Sequence, residues 1–93
     1  MNIHFVDKGW FMFTKQKCSY CTKAKSMLPE AVFFECDTIL GNKREDFLAF
    51  VDGLSNKKPR TFPMIFYDGQ YMGGYTETNA YLESMKNFEL CDF

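Results

Sequence analysis

The sequence predicts an α/β domain with a mixed four-stranded sheet flanked by three or more helices. Apolar and aromatic runs of strand length, at residues 10–14, 32–36 and 64–67, alternate with segments whose apolar residues recur at helical spacing. Asp68-Gly69 lies between the last of these runs and residues 70–72, the signature of a two-residue hairpin, so two strands must pair antiparallel. A length of 93 residues allows one substantial core and not two. The expected organisation is a single domain over residues 1–93, with 1–9 as an N-terminal extension, 10–86 as the core and 87–93 as a C-terminal tail.

Trp10–Thr14 is the first strand, and the polar stretch Lys15-Gln16-Lys17 ends it. Cys21, Ala24 and Leu28 then share one helical face while Thr22, Lys23, Lys25 and Ser26 take the other. Pro29 closes this amphipathic helix, because it cannot continue the hydrogen-bonded turn. Val32-Phe33-Phe34-Glu35-Cys36 reads as a buried strand, with Cys36 a small core residue, and Asp37–Asn42 as a loop punctuated by Gly41. Phe47, Phe50, Val51 and Leu54 follow the i, i+3, i+4, i+7 pattern of a core-facing helix that ends near Gly53. A polar, basic loop covers residues 55–60. Met64–Tyr67 and residues 70–72 form the hairpin. Gly73-Gly74 then breaks the chain before a last helix whose apolar side is Tyr81, Leu82 and Met85. The first two strands, joined through a helix, are expected to be parallel with a right-handed crossover. Residues 1–9 form an extra strand or an ordered arm.

Composition excludes several functional classes. A net charge of −1 provides no global field for nucleic acid or an anionic membrane. The aromatics near Lys57, Lys58 and Arg60 are accounted for by core periodicity, so they do not signal a nucleic-acid module. No run approaches membrane-spanning length, and Asp7 interrupts the short apolar start Ile3-His4-Phe5-Val6, which does not resemble a secretory signal. Four cysteines without such a signal point to a reducing compartment, the cytoplasm by default.

The chemistry concentrates in Lys15-Gln16-Lys17-Cys18-Ser19-Tyr20-Cys21. With a strand before it and a helix after it, Cys18 falls at the helix N-terminus, where the backbone dipole and nearby ammonium groups favour thiolate over thiol. A second cysteine one turn away completes the minimal apparatus for thiol–disulfide exchange. A structural zinc site needs a second pair at matching spacing. Cys36 and Cys91 are far apart and His4 stands alone, so no metal ligand set is assigned. Cys91, in the tail, is read as exposed. Two glycines at Gly73-Gly74 allow close backbone approach and lead into a helix whose first N–H groups, with the Thr76 hydroxyl, offer an anion site.

These motifs together, Lys15-x-x-Cys18-Ser19-Tyr20-Cys21, then Arg60-Thr61-Phe62-Pro63, then Gly73-Gly74-Tyr75-Thr76-Glu77, resemble a dithiol glutaredoxin of the thioredoxin-like fold over residues 10 to about 86. The resemblance implies a cis Phe62-Pro63 bond that exposes the backbone of residue 62 to a cysteinyl peptide. It implies Cys18 as nucleophile and Cys21 as resolving thiol. It also implies a glutathione site made by Lys15, Tyr20, Thr61, Phe62, Pro63, Gly74, Tyr75, Thr76 and Glu77. Thr76 and the neighbouring N–H groups would take the γ-glutamyl carboxylate and Glu77 the ligand ammonium. Lys15 would lie between the nucleophile and the glycyl carboxylate. A second cation for that carboxylate is either Arg44 or Lys58, because the longer loop at residues 55–59 loses the register.

The activity so implied is reduction of protein disulfides and glutathione mixed disulfides, with glutathione as reductant and no permanently bound cofactor, by a monomer. Ribonucleotide reductase is one possible electron acceptor, although no residue identifies it. Ser19 supports a rival of another class. Some relatives with serine there hold a [2Fe-2S] cluster between two subunits through the nucleophilic cysteine and glutathione, which would make Cys18 a metal ligand. Anaerobic purification separates the two readings by colour and oligomeric state.

Overall fold

The computed structural model describes residues 3–90, with side chains described as far as residue 85. Its elements are β1 (Trp10–Thr14), α1 (Ser19–Met27), β2 (Val32–Glu35), α2 (Asp37–Asn42), α3 (Arg44–Leu54), β3 (Met64–Tyr67), β4 (Gln70–Gly73) and α4 (Tyr75–Leu90). The strands form one mixed sheet in the order β2-β1-β3-β4. β1 pairs with β2 in parallel, as a strand–helix–strand connection requires, and with β3 antiparallel. Between β3 and β4, Asp68 and Gly69 both have positive φ, 49° and 82°, the backbone of the tight hairpin that this dipeptide favours. Four helices cover the sheet.

Alternation along β1 divides the core into two layers. Phe11 and Phe13 point to one face, where they meet Phe47 and Val51 of α3, Met64 and Phe66 of β3, and Cys36. Met12 points to the other, against Ala24 of α1, Leu28 at the C-cap of that helix and Ile65 of β3. The sequence periodicity of α1 and α3 therefore reads directly as burial. Cys36 is fully buried, and burial pushes its thiol up to about 12, which leaves it an inert core group.

Three expectations change. Asp37–Asn42 is a short helix, not a loop. Asp37 suits the positive end of its dipole, while Ile39 and Leu40 pack on the phenylalanine layer, so tertiary contact outweighs the glycine within it. Residues 32–36 are not a buried strand: β2 is an edge, and Val32 and Phe33 are 43% and 48% exposed. The Lys25 ammonium lies 4.0 Å from the Phe33 ring centroid and 3.7 Å from the Glu35 carboxylate, so charge covers the open edge. In α4, Tyr81 and Met85 are also exposed, whereas Thr78 is fully buried and Leu82 packs on the core. The helix begins at Tyr75, and positions 75, 78 and 82 form the inward stripe. Cys91 falls outside the described residues.

Residues 3–9 form an ordered arm without strand pairing. Ile3, Phe5 and Val6 pack on the phenylalanine layer, and the Phe5 ring lies 5.1 Å from Phe11 and 5.2 Å from Phe66. Gly9 N–H donates to the Asp68 carboxylate and Gly9 C=O accepts from Asp68 N–H, which fastens the arm to the hairpin. Phe5→Ala is expected to cost about 3 kcal/mol, the low end for phenylalanine because the ring is only partly buried. Urea denaturation measures it, and a loss below about 1 kcal/mol would show that the arm contributes little.

Candidate active site

The turn after β1 delivers Cys18 to the head of α1. Lys17 adopts φ 54° and Cys18 is extended, with φ −123° and ψ 105°, so the chain reverses within two residues and helical geometry begins at Ser19. Cys18 is the N-cap. Its sulfur accepts the Cys21 N–H at 3.2 Å, which places a backbone donor where a helix N-terminus stabilises negative charge. The same sulfur lies 3.8 Å from the Phe62 carbonyl, to which the thiol form donates. Gln16 N–H donates to Asp37, which ties the turn to α2.

Cys21 differs sharply from its neighbour. It is 1% exposed whereas Cys18 is only half-buried. Burial, followed by its hydrogen bond with Cys18, pushes the Cys21 thiol up to about 12; a backbone hydrogen bond from Lys15 opposes the shift. One sulfur is accessible and faces two polar backbone groups, and the other is held beneath it as a protonated thiol.

The Phe62-Pro63 bond is cis, as the sequence motif implied. The Phe62 ring stacks on Phe47 at 6.1 Å, and the Lys15 ammonium sits 5.8 Å from its centroid. An open cleft of about 390 Å³ runs beside Cys18, with Lys15, Tyr20, Thr61 and Phe62 in its walls. Arg44 also lines the cleft and Lys58 does not. Ser19 lines it too.

Pro63, Gly74, Tyr75, Thr76 and Glu77 stand outside this cleft, at the junction of the hairpin and α4. The Tyr20 and Tyr75 rings stack at 5.8 Å and bridge the two regions, with the Lys23 ammonium 5.2 Å from one centroid and 6.0 Å from the other. Gly73 has φ 126°, and a β-carbon there would come within 2.6 Å of the Glu77 side chain. Glycine is required at that point. Glu77 accepts the Gly74 N–H at 2.8 Å and so caps its own helix. One of its oxygens is thus committed locally, which the sequence reading did not anticipate, while the N–H groups of Tyr75 and Thr76 have no acceptor one turn back.

Sequence reasoning did not place Lys17, Leu40 or Arg60 in the cleft wall. Arg60 forms a two-point ion pair with Asp52, at 2.9 and 3.0 Å, and joins the end of α3 to the loop that carries Thr61 and Phe62. This pairing holds Arg60 strongly protonated and keeps the Asp52 carboxyl below its usual range. Opposite charges in the two segments were the only available signal, and they fix no geometry.

A Cys-x-x-Cys pair at a strand-to-helix junction, facing a cis-prolyl carbonyl on a four-stranded mixed sheet, defines a thiol–disulfide oxidoreductase of the thioredoxin-like class. The glutaredoxin family model matches residues 11–72. Glutaredoxin 1 of Escherichia coli (strain K12) is 32% identical over 85 residues, covering 77% of this chain and 89% of that protein. Glutaredoxin 3 of the same organism is 35% identical over 72 residues, covering 74% and 80%. The crystal structure of glutaredoxin 1 from Francisella tularensis complexed with cacodylate superposes with a TM-score of 0.70 at 26% identity, over 85% of this chain and 96% of that one. The chain belongs to the glutaredoxin family.

Proposed function

We propose that the protein is a glutathione-dependent disulfide oxidoreductase in which Cys18 is the nucleophile and Cys21 the resolving thiol. The observation that carries this is the contrast between the two sulfurs. Cys18 is accessible, receives the Cys21 N–H and opens onto a cleft lined by Lys15 and Arg44, whereas Cys21 is buried directly beside it. Cys18 thiolate attacks a substrate disulfide, forms a Cys18 mixed disulfide and releases one substrate thiolate, which takes up a proton. The Cys21 thiol then loses its proton and attacks the Cys18 sulfur, expelling the second thiolate and closing a Cys18–Cys21 disulfide. Two glutathiones return the pair to the dithiol and leave as glutathione disulfide.

Glutathione carries two carboxylates and an ammonium group. In this reading Lys15 and Arg44 meet the glycyl carboxylate, and the backbone of Phe62, presented by Thr61 and Pro63, pairs with the cysteinyl residue as a short added strand. The Tyr20 ring flanks the ligand. At the far end, the N–H groups of Tyr75 and Thr76, approached across Gly74, receive the γ-glutamyl carboxylate, and the free oxygen of Glu77 receives the ammonium. Acceptors include glutathionylated proteins and protein disulfides, ribonucleotide reductase being a candidate. The reading places the protein in a glutathione-rich reducing compartment, the cytoplasm. No described helix is long and apolar enough to cross a membrane.

Mass spectrometry in a glutathione redox buffer tests the assignment. An internal Cys18–Cys21 disulfide is expected in the wild type, and a single glutathione adduct on Cys18 in Cys21→Ser. An adduct on Cys36, or none at all, would refute it.

A further inference from the structure

We propose that the cleft beside Cys18 selects disulfides carried on acidic polypeptide segments, and that Lys17 sets this preference. The inference rests on the reading of Cys18 as nucleophile and names a substrate class for it. Among the cleft-lining residues Lys15, Lys17, Arg44 and Arg60 are cationic and none is acidic. Lys23 extends the positive surface across Tyr20 and Tyr75. The whole chain carries −1, so this charge is segregated at one end and is not a consequence of bulk composition. Arg60 is neutralised by Asp52, whereas no carboxylate of the described residues pairs with Lys15, Lys17 or Arg44.

Among the described residues Lys17, Lys58 and Asp68 are the non-glycine residues with positive φ, and of the three only Lys17 lines the cleft. Its φ of 54° lies in the left-handed region, where a β-carbon is penalised and glycine is not. It is exposed, immediately precedes Cys18, and its side chain makes no hydrogen bond or ion pair among the described residues. A long cation thus occupies a strained position beside the nucleophile with no structural partner to explain it, and strain of this kind collects at functional sites.

At Leu40 and Arg44 the cleft borders a second hollow of about 490 Å³ over the corner between α2 and α3, where Glu45 and Asp46 join Lys43 and Arg44 in the lining, so the surface without carboxylates is the cleft beside Cys18 itself. In the step concerned, Cys18 thiolate attacks one sulfur of the segment, the Cys18–substrate disulfide forms, and the other sulfur leaves as a thiolate that takes up a proton. A carboxylate beside the attacked cysteine meets Lys17. Because these cations are solvated, the gain is chiefly in encounter and orientation, and it is screened by salt.

The test compares two disulfide-cyclised peptides that differ only in Asp against Asn beside the cysteines. Each is reduced with glutathione by the wild type, Lys17→Gly and Lys17→Arg. The wild type should favour the Asp peptide in kcat/KM by about tenfold at low ionic strength, and by about twofold or less near 1 M salt. Lys17→Gly should cut the low-salt preference at least about threefold while melting at or above the wild-type temperature, since glycine relieves the left-handed strain. Lys17→Arg should keep it. Equal rates for the two peptides, or an unaltered preference in Lys17→Gly, would overturn the proposal. Reduction of a glutathionylated cysteine by the wild type, run in parallel, reports on the underlying reading. If that reaction is absent, the reading fails and the proposal falls with it; if it is present and the peptides are equivalent, only the proposal fails.

Discussion

Cys18→Ser is expected to lower glutathione-coupled disulfide reduction by at least about a thousandfold with no loss of fold. A hydroxyl is a poor nucleophile at neutral pH, and removing the nucleophile of a covalent mechanism has effects of this order or larger. The first half rests on the proposed role of Cys18 as nucleophile, the second on its place at the head of α1. Cys18 is the N-cap of α1, and serine is among the preferred residues at such a position, so the hydrogen bond from Cys21 N–H persists with oxygen as acceptor. Circular dichroism and thermal melting should therefore match the wild type while turnover disappears. A variant that keeps a tenth of the activity would remove Cys18 from the nucleophile's role.

Phe13→Ala should produce the largest loss of stability of any single truncation considered for this chain, about 4 kcal/mol. The side chain is fully buried. The rings of Phe5, Phe11, Phe34, Phe47, Phe50 and Phe66 surround it at centroid distances from 4.9 to 6.4 Å, mostly edge-to-face. No neighbouring side chain can refill a hole bounded by rigid rings, so the cavity persists. Domains of this size have total stabilities of roughly 5–15 kcal/mol, and a melting temperature lower by about 15 °C or more is expected. Tyr81→Ala provides the contrast. Its ring is 39% exposed and meets Trp10 only at its edge, so it should cost no more than about 1 kcal/mol. A smaller loss for Phe13→Ala than for Tyr81→Ala would contradict the described core.

Much of the fold was legible because local and tertiary preferences agree. Cys21, Ala24 and Leu28 lie on one helical face and are buried on that face. Asp68-Gly69 is a dipeptide that tolerates positive φ at both positions and adopts it at both. The misreadings fall where composition is ambiguous. An aromatic run such as Val32-Phe33-Phe34 suits a central or an edge strand equally, and only the strand order decides. The α2 segment contains glycine and would not hold as an isolated helix; the packing of Ile39 and Leu40 stabilises it. That Arg44 lines the cleft and Lys58 does not was equally illegible, because the length of the loop at residues 55–59 fixes no direction.

By itself the sequence determined the strand–helix frame, the reactive dithiol and the family, because these depend on residue types at short, fixed spacings. The tertiary structure decided what those residues face. It set Cys21 beneath Cys18 and put its thiol out of reach of water, gave Arg44 and not Lys58 to the cleft, turned Glu77 back on its own helix, and left Lys17 exposed beside Cys18. Each of these outcomes depends on burial, or on a backbone direction set by residues distant in the chain. Both are properties of the closed fold, and no local stretch of sequence carries them.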